Sequence, residues 1–78
     1  MDTPELLCDL RMIKADYRLV SHKDGSPDRC FRIRVIPENQ EMEFDISEQN
    51  GELFAAELEA LATLIRARVL RARLVANA

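Results

Sequence analysis

The chain has 78 residues and a formal net charge of −3, which is enough sequence for one small domain. A domain of this size buries a small share of its surface, so natural examples often gain stability from a second subunit. The acidic balance gives no overall attraction to phosphate backbones, and no apolar run approaches the roughly 20 residues that span a bilayer. We therefore expect a single domain over residues 1–78 that forms a homodimer and binds no membrane.

The two cysteines, Cys8 and Cys30, lie far apart among apolar residues and have no C-x-x-C spacing. This pattern is typical of reduced, buried thiols rather than of metal ligands, and a disulfide between the two is the alternative. The sequence also begins without the features of a secretory signal peptide. We therefore expect a cytoplasmic protein.

The first ten residues carry the signals of a helix start. Thr3 can cap a helix, Pro4 suits the first helical position, and Glu5 adds an acid in the first turn. These signals predict a short helix over residues 4–10.

The middle of the chain has the two-residue alternation of strands. Residues 16–22 favour a strand that ends at a turn rich in glycine, proline and aspartate, and residues 29–36 and 41–47 alternate apolar with charged side chains. Residues 37–40 are few enough to make the last two strands an antiparallel hairpin. On its outward face, Arg32 and Arg34 would meet the acidic side chains Glu41, Glu43 and Asp45. We predict a three-stranded antiparallel meander.

Residues 51–75 contain no helix breaker and are rich in alanine, leucine, glutamate and arginine, which predicts one long C-terminal helix. Large apolar side chains recur along it every three or four residues and would cover one face of the sheet. This bulky stripe consists of Phe54, Leu58, Leu61, Ile65 and Val69. The predicted fold is α+β: a short N-terminal helix, the meander, and the long helix packed on the meander.

A second stripe, which we call the small-residue stripe, lies on another side of the same helix. It consists of Ala56, Ala60, Thr63, Ala67, Leu70 and Leu74. It predicts a contact with a protein partner or with a second copy, while the alternative is a solvated face, because alanine is the best helix former. Acidic residues lie in the first half of the helix and arginines in the second, so an antiparallel pair would match opposite charges. The helix dipole favours the same polarity in a monomer.

Residue types needed for catalysis or metal binding are sparse. The one histidine, His22, has no predicted partner as a general base, and one histidine with two distant cysteines does not make a zinc site. The two glycines, Gly25 and Gly51, do not form a phosphate-binding loop. We therefore predict no enzyme, no catalytic residue, no metal site and no cofactor.

These observations favour a small non-enzymatic module that binds a protein partner of unspecified identity, as a regulator, inhibitor or adaptor. Its size and its alanine-rich and arginine-rich style suit a bacterial or phage accessory protein. The alternative is a nucleic-acid-binding protein that uses a basic patch on the last helix. That patch consists of Arg66, Arg68, Arg71 and Arg73.

The predicted order of elements, α-β-β-β-α, resembles the double-stranded-RNA-binding domain over most of the chain. The residues that carry the resemblance are the run from Tyr17 to Ser21 before a Gly/Pro/Asp loop and the run from Phe31 to Val35. That family begins its last helix with a lysine-rich phosphate-binding motif, whereas residues 49–53 here read Gln-Asn-Gly-Glu-Leu. The resemblance therefore implies a member that binds protein rather than RNA.

Overall fold

The computed structural model describes residues 3–76 as four strands followed by one long helix. The strands are β1 (Glu5–Asp9), β2 (Ile13–Ser21), β3 (Pro27–Val35) and β4 (Met42–Ser47), and a 3-10 turn (Glu48–Asn50) leads into the helix α1 (Gly51–Ala76). The strands form one antiparallel sheet in the order β1-β2-β3-β4. The α+β class, the meander and the long helix are confirmed, and the meander has four strands rather than three.

The predicted N-terminal helix over residues 4–10 is wrong, because this segment forms β1. Leu6 pairs with Asp16 and Cys8 pairs with Ala15 of β2, and a bulge lies between Leu6 and Cys8. An isolated helix of seven residues is too short to be stable in water, so capping signals alone do not hold it. Backbone hydrogen bonds to the exposed edge of β2 are the stronger alternative.

The predicted hairpin of the last two strands is confirmed, and its outward arginines lie opposite acidic residues as expected. Arg32 lies opposite Asp45, Arg34 lies opposite Glu43, and Ile33 lies opposite Phe44. Because side chains alternate between the two faces of a strand, the sheet has one charged face and one apolar face. Tyr17 and Phe31 stack on the apolar face with ring centroids 5.1 Å apart.

The helix packs on the apolar face only through its first two turns. Gly51 lies so close to Phe31 that an added Cβ would stand 2.6 Å from the ring. The rings of Phe54 and Phe44 form a T-shaped pair with their centroids 5.9 Å apart. A groove of about 210 Å³ lies between the helix and the sheet. Leu58 lines its helix side, and Leu7, Ala15 and Ile33 line its sheet side. The inner part of the bulky stripe therefore covers the sheet.

The outer part of α1 runs past the sheet. Leu61, Ile65 and Val69 remain 51%, 52% and 44% exposed, so the prediction that the whole bulky stripe covers the sheet is wrong. The radius of gyration is 16.6 Å, whereas a compact chain of this length would have about 11.5 Å. Among the residues that the structure describes, only one hydrophobic residue is buried, Cys30, which is 3% exposed. The isolated chain has a thin core.

Candidate contact surfaces

The small-residue stripe lies on the face of α1 that points away from the sheet. Successive residues of an α-helix are about 100° apart, which places this stripe about 180° from the bulky stripe. All six of its residues are exposed, and Leu70 and Leu74 are 57% and 65% exposed. The Thr63 hydroxyl donates a hydrogen bond to the Glu59 carbonyl at 3.1 Å, so its polar group is satisfied within the helix. The stripe forms one continuous, uncovered face.

A second uncovered surface is the outer half of the bulky stripe, formed by Leu61, Ile65 and Val69. Sequence periodicity assigned these residues to the sheet, because it identifies a face of the helix but not where the sheet ends. The length of the predicted helix was the signal that could have shown that part of the stripe extends past the sheet. A helix of 26 residues measures about 39 Å, whereas four strands side by side span only about 15–20 Å.

The predicted basic patch is divided by the helix geometry. Arg66 and Arg73 lie on one side of α1, and Arg68 and Arg71 lie on the opposite side. Arg68 and Arg71 border a shallow notch near the helix end, together with Val75. The four arginines therefore form two pairs on opposite sides rather than one continuous basic surface.

The charged face of the sheet is neutralised by its own ion pairs. Arg18 donates two hydrogen bonds to Asp16 at 2.6 and 2.7 Å, and Arg32 donates two to Asp45 at 2.8 and 3.0 Å. Arg34 contacts Glu41 at 3.0 Å. Hydrogen bonds from Arg18 and Arg32 hold the pKa of Asp16 and of Asp45, respectively, below the ordinary value of 3.8. The predicted contact of Arg32 and Arg34 with acidic side chains of the neighbouring strand is thus confirmed.

These pairs predict a loss of stability in acid. The pKa of Asp16 and of Asp45 is lower in the folded chain than in the unfolded chain, so near pH 4 the unfolded state binds more protons. Their contribution to the free energy of unfolding is fully present well above pH 4 and is lost as the pH falls through the folded pKa values. Urea unfolding at pH 7, 5, 4 and 3 should show this fall.

Asp45→Asn should flatten the profile below pH 5, and Glu38→Gln, in an exposed loop, serves as the control. The expected loss at pH 7 for Asp45→Asn is about 0.5–1 kcal/mol, because the carboxylate is 41% exposed and solvent screens the pair. An Asp45→Asn profile that matches wild type would contradict this assignment.

One polar pair was missed by the sequence reasoning. His22 Nε2 lies 3.1 Å from Asp28 Oδ2, across the β2–β3 turn, and both side chains are exposed or half-exposed. A shallow depression in the surface is bordered by His22, Asp28 and the buried Cys30. Burial raises the pKa of the Cys30 thiol. Within residues 3–76, both cysteines are free and no group of three metal-ligating side chains is present. The pair joins two strand ends and is solvent-exposed, which suits a structural contact.

No protein-family model matches the chain, and neither the curated proteins nor the solved structures gave a match. The resemblance to the double-stranded-RNA-binding domain fails at its first element, because β1 replaces the expected helix and the order is β-β-β-β-α. In the described part of the chain, no helix is long and apolar enough to cross a membrane.

Proposed function

We propose that this protein is a small, cytoplasmic, non-enzymatic module that binds another protein chain through α1, as a regulator, inhibitor or adaptor. The observation that carries the proposal is that the outer half of α1 extends beyond the sheet. Its large apolar side chains therefore remain uncovered. Leu61, Ile65 and Val69 continue the stripe that packs on the sheet further up the same helix. An amphipathic helix with an uncovered apolar face is a common means of docking into a groove of a partner.

The size of the uncovered surface supports binding. On the outer half of α1, Leu61, Ile65 and Val69 are 51%, 52% and 44% exposed and lie on successive turns of one face. Scattered exposed leucines are normal on a monomer, whereas a contiguous apolar surface marks an interaction site. The charged face of the sheet offers less for such a contact, because its arginines are held in internal ion pairs.

The test is capture of host proteins by the tagged chain, with and without nuclease, using wild type and two variants. Ile65→Glu places a charge on the bulky stripe, and Val75→Glu places the same charge outside both stripes. We expect a captured protein that survives nuclease, is lost with Ile65→Glu and is retained with Val75→Glu. Equal capture by all three proteins would contradict the assignment of this surface.

The second candidate is nucleic-acid binding, which is favoured by the concentration of arginines in the outer half of α1. Binding to phosphates weakens steeply as salt rises, because bound counterions are released on binding. A contact through apolar side chains is nearly indifferent to salt. Loss of all captured material after nuclease treatment, together with steep salt dependence, would replace the protein-binding proposal with this one.

A further inference from the structure

The outward face of α1 has the seven-residue repeat of a coiled coil. Starting one turn before the small-residue stripe, apolar or small residues recur at alternating steps of three and four, which is the spacing of the a and d positions. These positions are occupied by Leu53, Ala56, Ala60, Thr63, Ala67, Leu70 and Leu74. Leucines lie toward the ends of the seam and small residues lie in its middle, so two helix backbones could approach closely there.

The charges beside this seam lie symmetrically about the midpoint between Ala62 and Thr63, with opposite signs on the two sides. Along one flank, the g positions of the repeat, the order is Glu52, Glu59, Arg66 and Arg73. Within the described chain, these side chains form no ion pair, and none has an opposite charge three or four residues away. The helix dipole acts only within the terminal turns, where Glu52 and Arg73 lie, so it does not explain Glu59 or Arg66.

We infer that a second copy of this chain binds along this face as an antiparallel helix pair in one defined register. In that register Leu53 lies against Leu70 of the second copy, Ala56 against Ala67, and Ala60 against Thr63. The same alignment sets Glu59 against Arg66 and Glu52 against Arg73, and the twofold symmetry forms each contact twice. Charge complementarity along the flank thus selects both the occupant and its direction.

The parallel arrangement is disfavoured by the same residues. In a parallel pair, each g position faces the e position five residues later on the other helix. That alignment would set Glu52 against Glu57 and Arg66 against Arg71, which are like charges. The antiparallel pair is therefore favoured twice: its flanking charges attract, and the flanking charges of the parallel pair repel.

The fold leaves this face exposed from Leu53, which borders β4 but is 62% exposed, to Leu74, which is 65% exposed. The opposite face cannot pair over its full length, because Gly51, Phe54 and Leu58 already border the chain's own sheet. The proposed seam leaves Leu61, Ile65 and Val69 uncovered, so a dimer of this form and the proposed partner contact use different sides of α1. The inference rests on the proposed function only in assigning α1 as the contact element.

Charge reversal tests the register. Glu59→Arg sets two arginines against each other, and Arg66→Glu sets two glutamates against each other, each twice in the dimer. We expect either variant to raise the dimer dissociation constant about tenfold at low salt, measured by sedimentation equilibrium. The double variant Glu59→Arg with Arg66→Glu restores the wild-type value, because every pair is again opposite in sign. An equal mixture of the two single variants forms a heterodimer for the same reason.

Arg68→Glu is the matched control, since it makes the same charge change outside the seam and should leave the dissociation constant unchanged. Circular dichroism of each variant establishes that the helix is retained. The inference is overturned if the wild-type protein is still monomeric at a protein concentration 100-fold higher than that used in the capture experiment. It is also overturned if the Glu59→Arg and Arg66→Glu proteins form no heterodimer when mixed. Capture that depends on Ile65 would still support the proposed function in either case, so the two can fail separately.

Discussion

Ala67→Glu should abolish self-association and leave a folded monomer. Ala67 lies in the proposed seam, one layer from its twofold axis, where it would face Ala56 of the second copy, and its side chain is exposed in the single chain. A glutamate there would be desolvated without a partner, twice in each symmetric dimer. We expect the dimer dissociation constant to rise by about 100-fold or more, measured by light scattering over a range of concentrations.

The matched control is Ala72→Glu, which makes the same substitution on an exposed residue of the opposite face of α1. It should preserve the dimer. The wild-type melting temperature should also rise with protein concentration, since association stabilises the folded state by mass action. The Ala67→Glu protein should show no such dependence. A dimer that survives Ala67→Glu would show that the small-residue stripe is not the contact.

Phe54→Ala should cause the largest loss of stability among substitutions in α1. Phe54 is half-buried, meets the Phe44 ring edge-on and is the main aromatic contact between helix and sheet. Truncation of buried phenylalanines costs about 3–5 kcal/mol. Because Phe54 remains partly exposed, we expect a loss of about 2–3 kcal/mol in the free energy of unfolding, measured by urea titration.

Ile65→Ala provides the comparison that separates the inner and outer halves of the bulky stripe. The periodicity places Ile65 and Phe54 on the same face, and so assigns a core role to both. In the structure Ile65 is 52% exposed, and its truncation should cost less than about 1 kcal/mol, since the change leaves little or no cavity. A loss as large as that of Phe54→Ala would indicate that another chain or segment covers the outer half.

Local signals predicted the strands and the helix well where the pattern was long. The β3–β4 hairpin follows from the alternation of residues 31–35 and 41–46 on the two sides of a short turn, and Arg32 lies opposite Asp45 on its charged face. The long helix follows from 26 residues without a breaker. In both cases the periodicity is strong enough that no competing structure satisfies it.

The N-terminal segment shows where such signals fail. Thr3, Pro4 and Glu5 carry real capping preferences, yet each contributes only about 1 kcal/mol and nothing in seven residues sustains a helix. Pairing with β2 decides the outcome, because it satisfies the backbone groups of an otherwise open edge. That pairing is a long-range contact and leaves no local signature.

The sequence by itself determined the α+β class, the two stripes of α1 and the separation of acidic from basic residues along it. Only the tertiary structure decided which part of the bulky stripe packs on the sheet, because periodicity defines a face but not its extent. It also showed that residues 5–9 pair with β2 as a strand, where local capping signals favoured a helix. The uncovered outer half of α1 is thus a property of the whole fold: a helix of about 39 Å is longer than the small sheet beneath it.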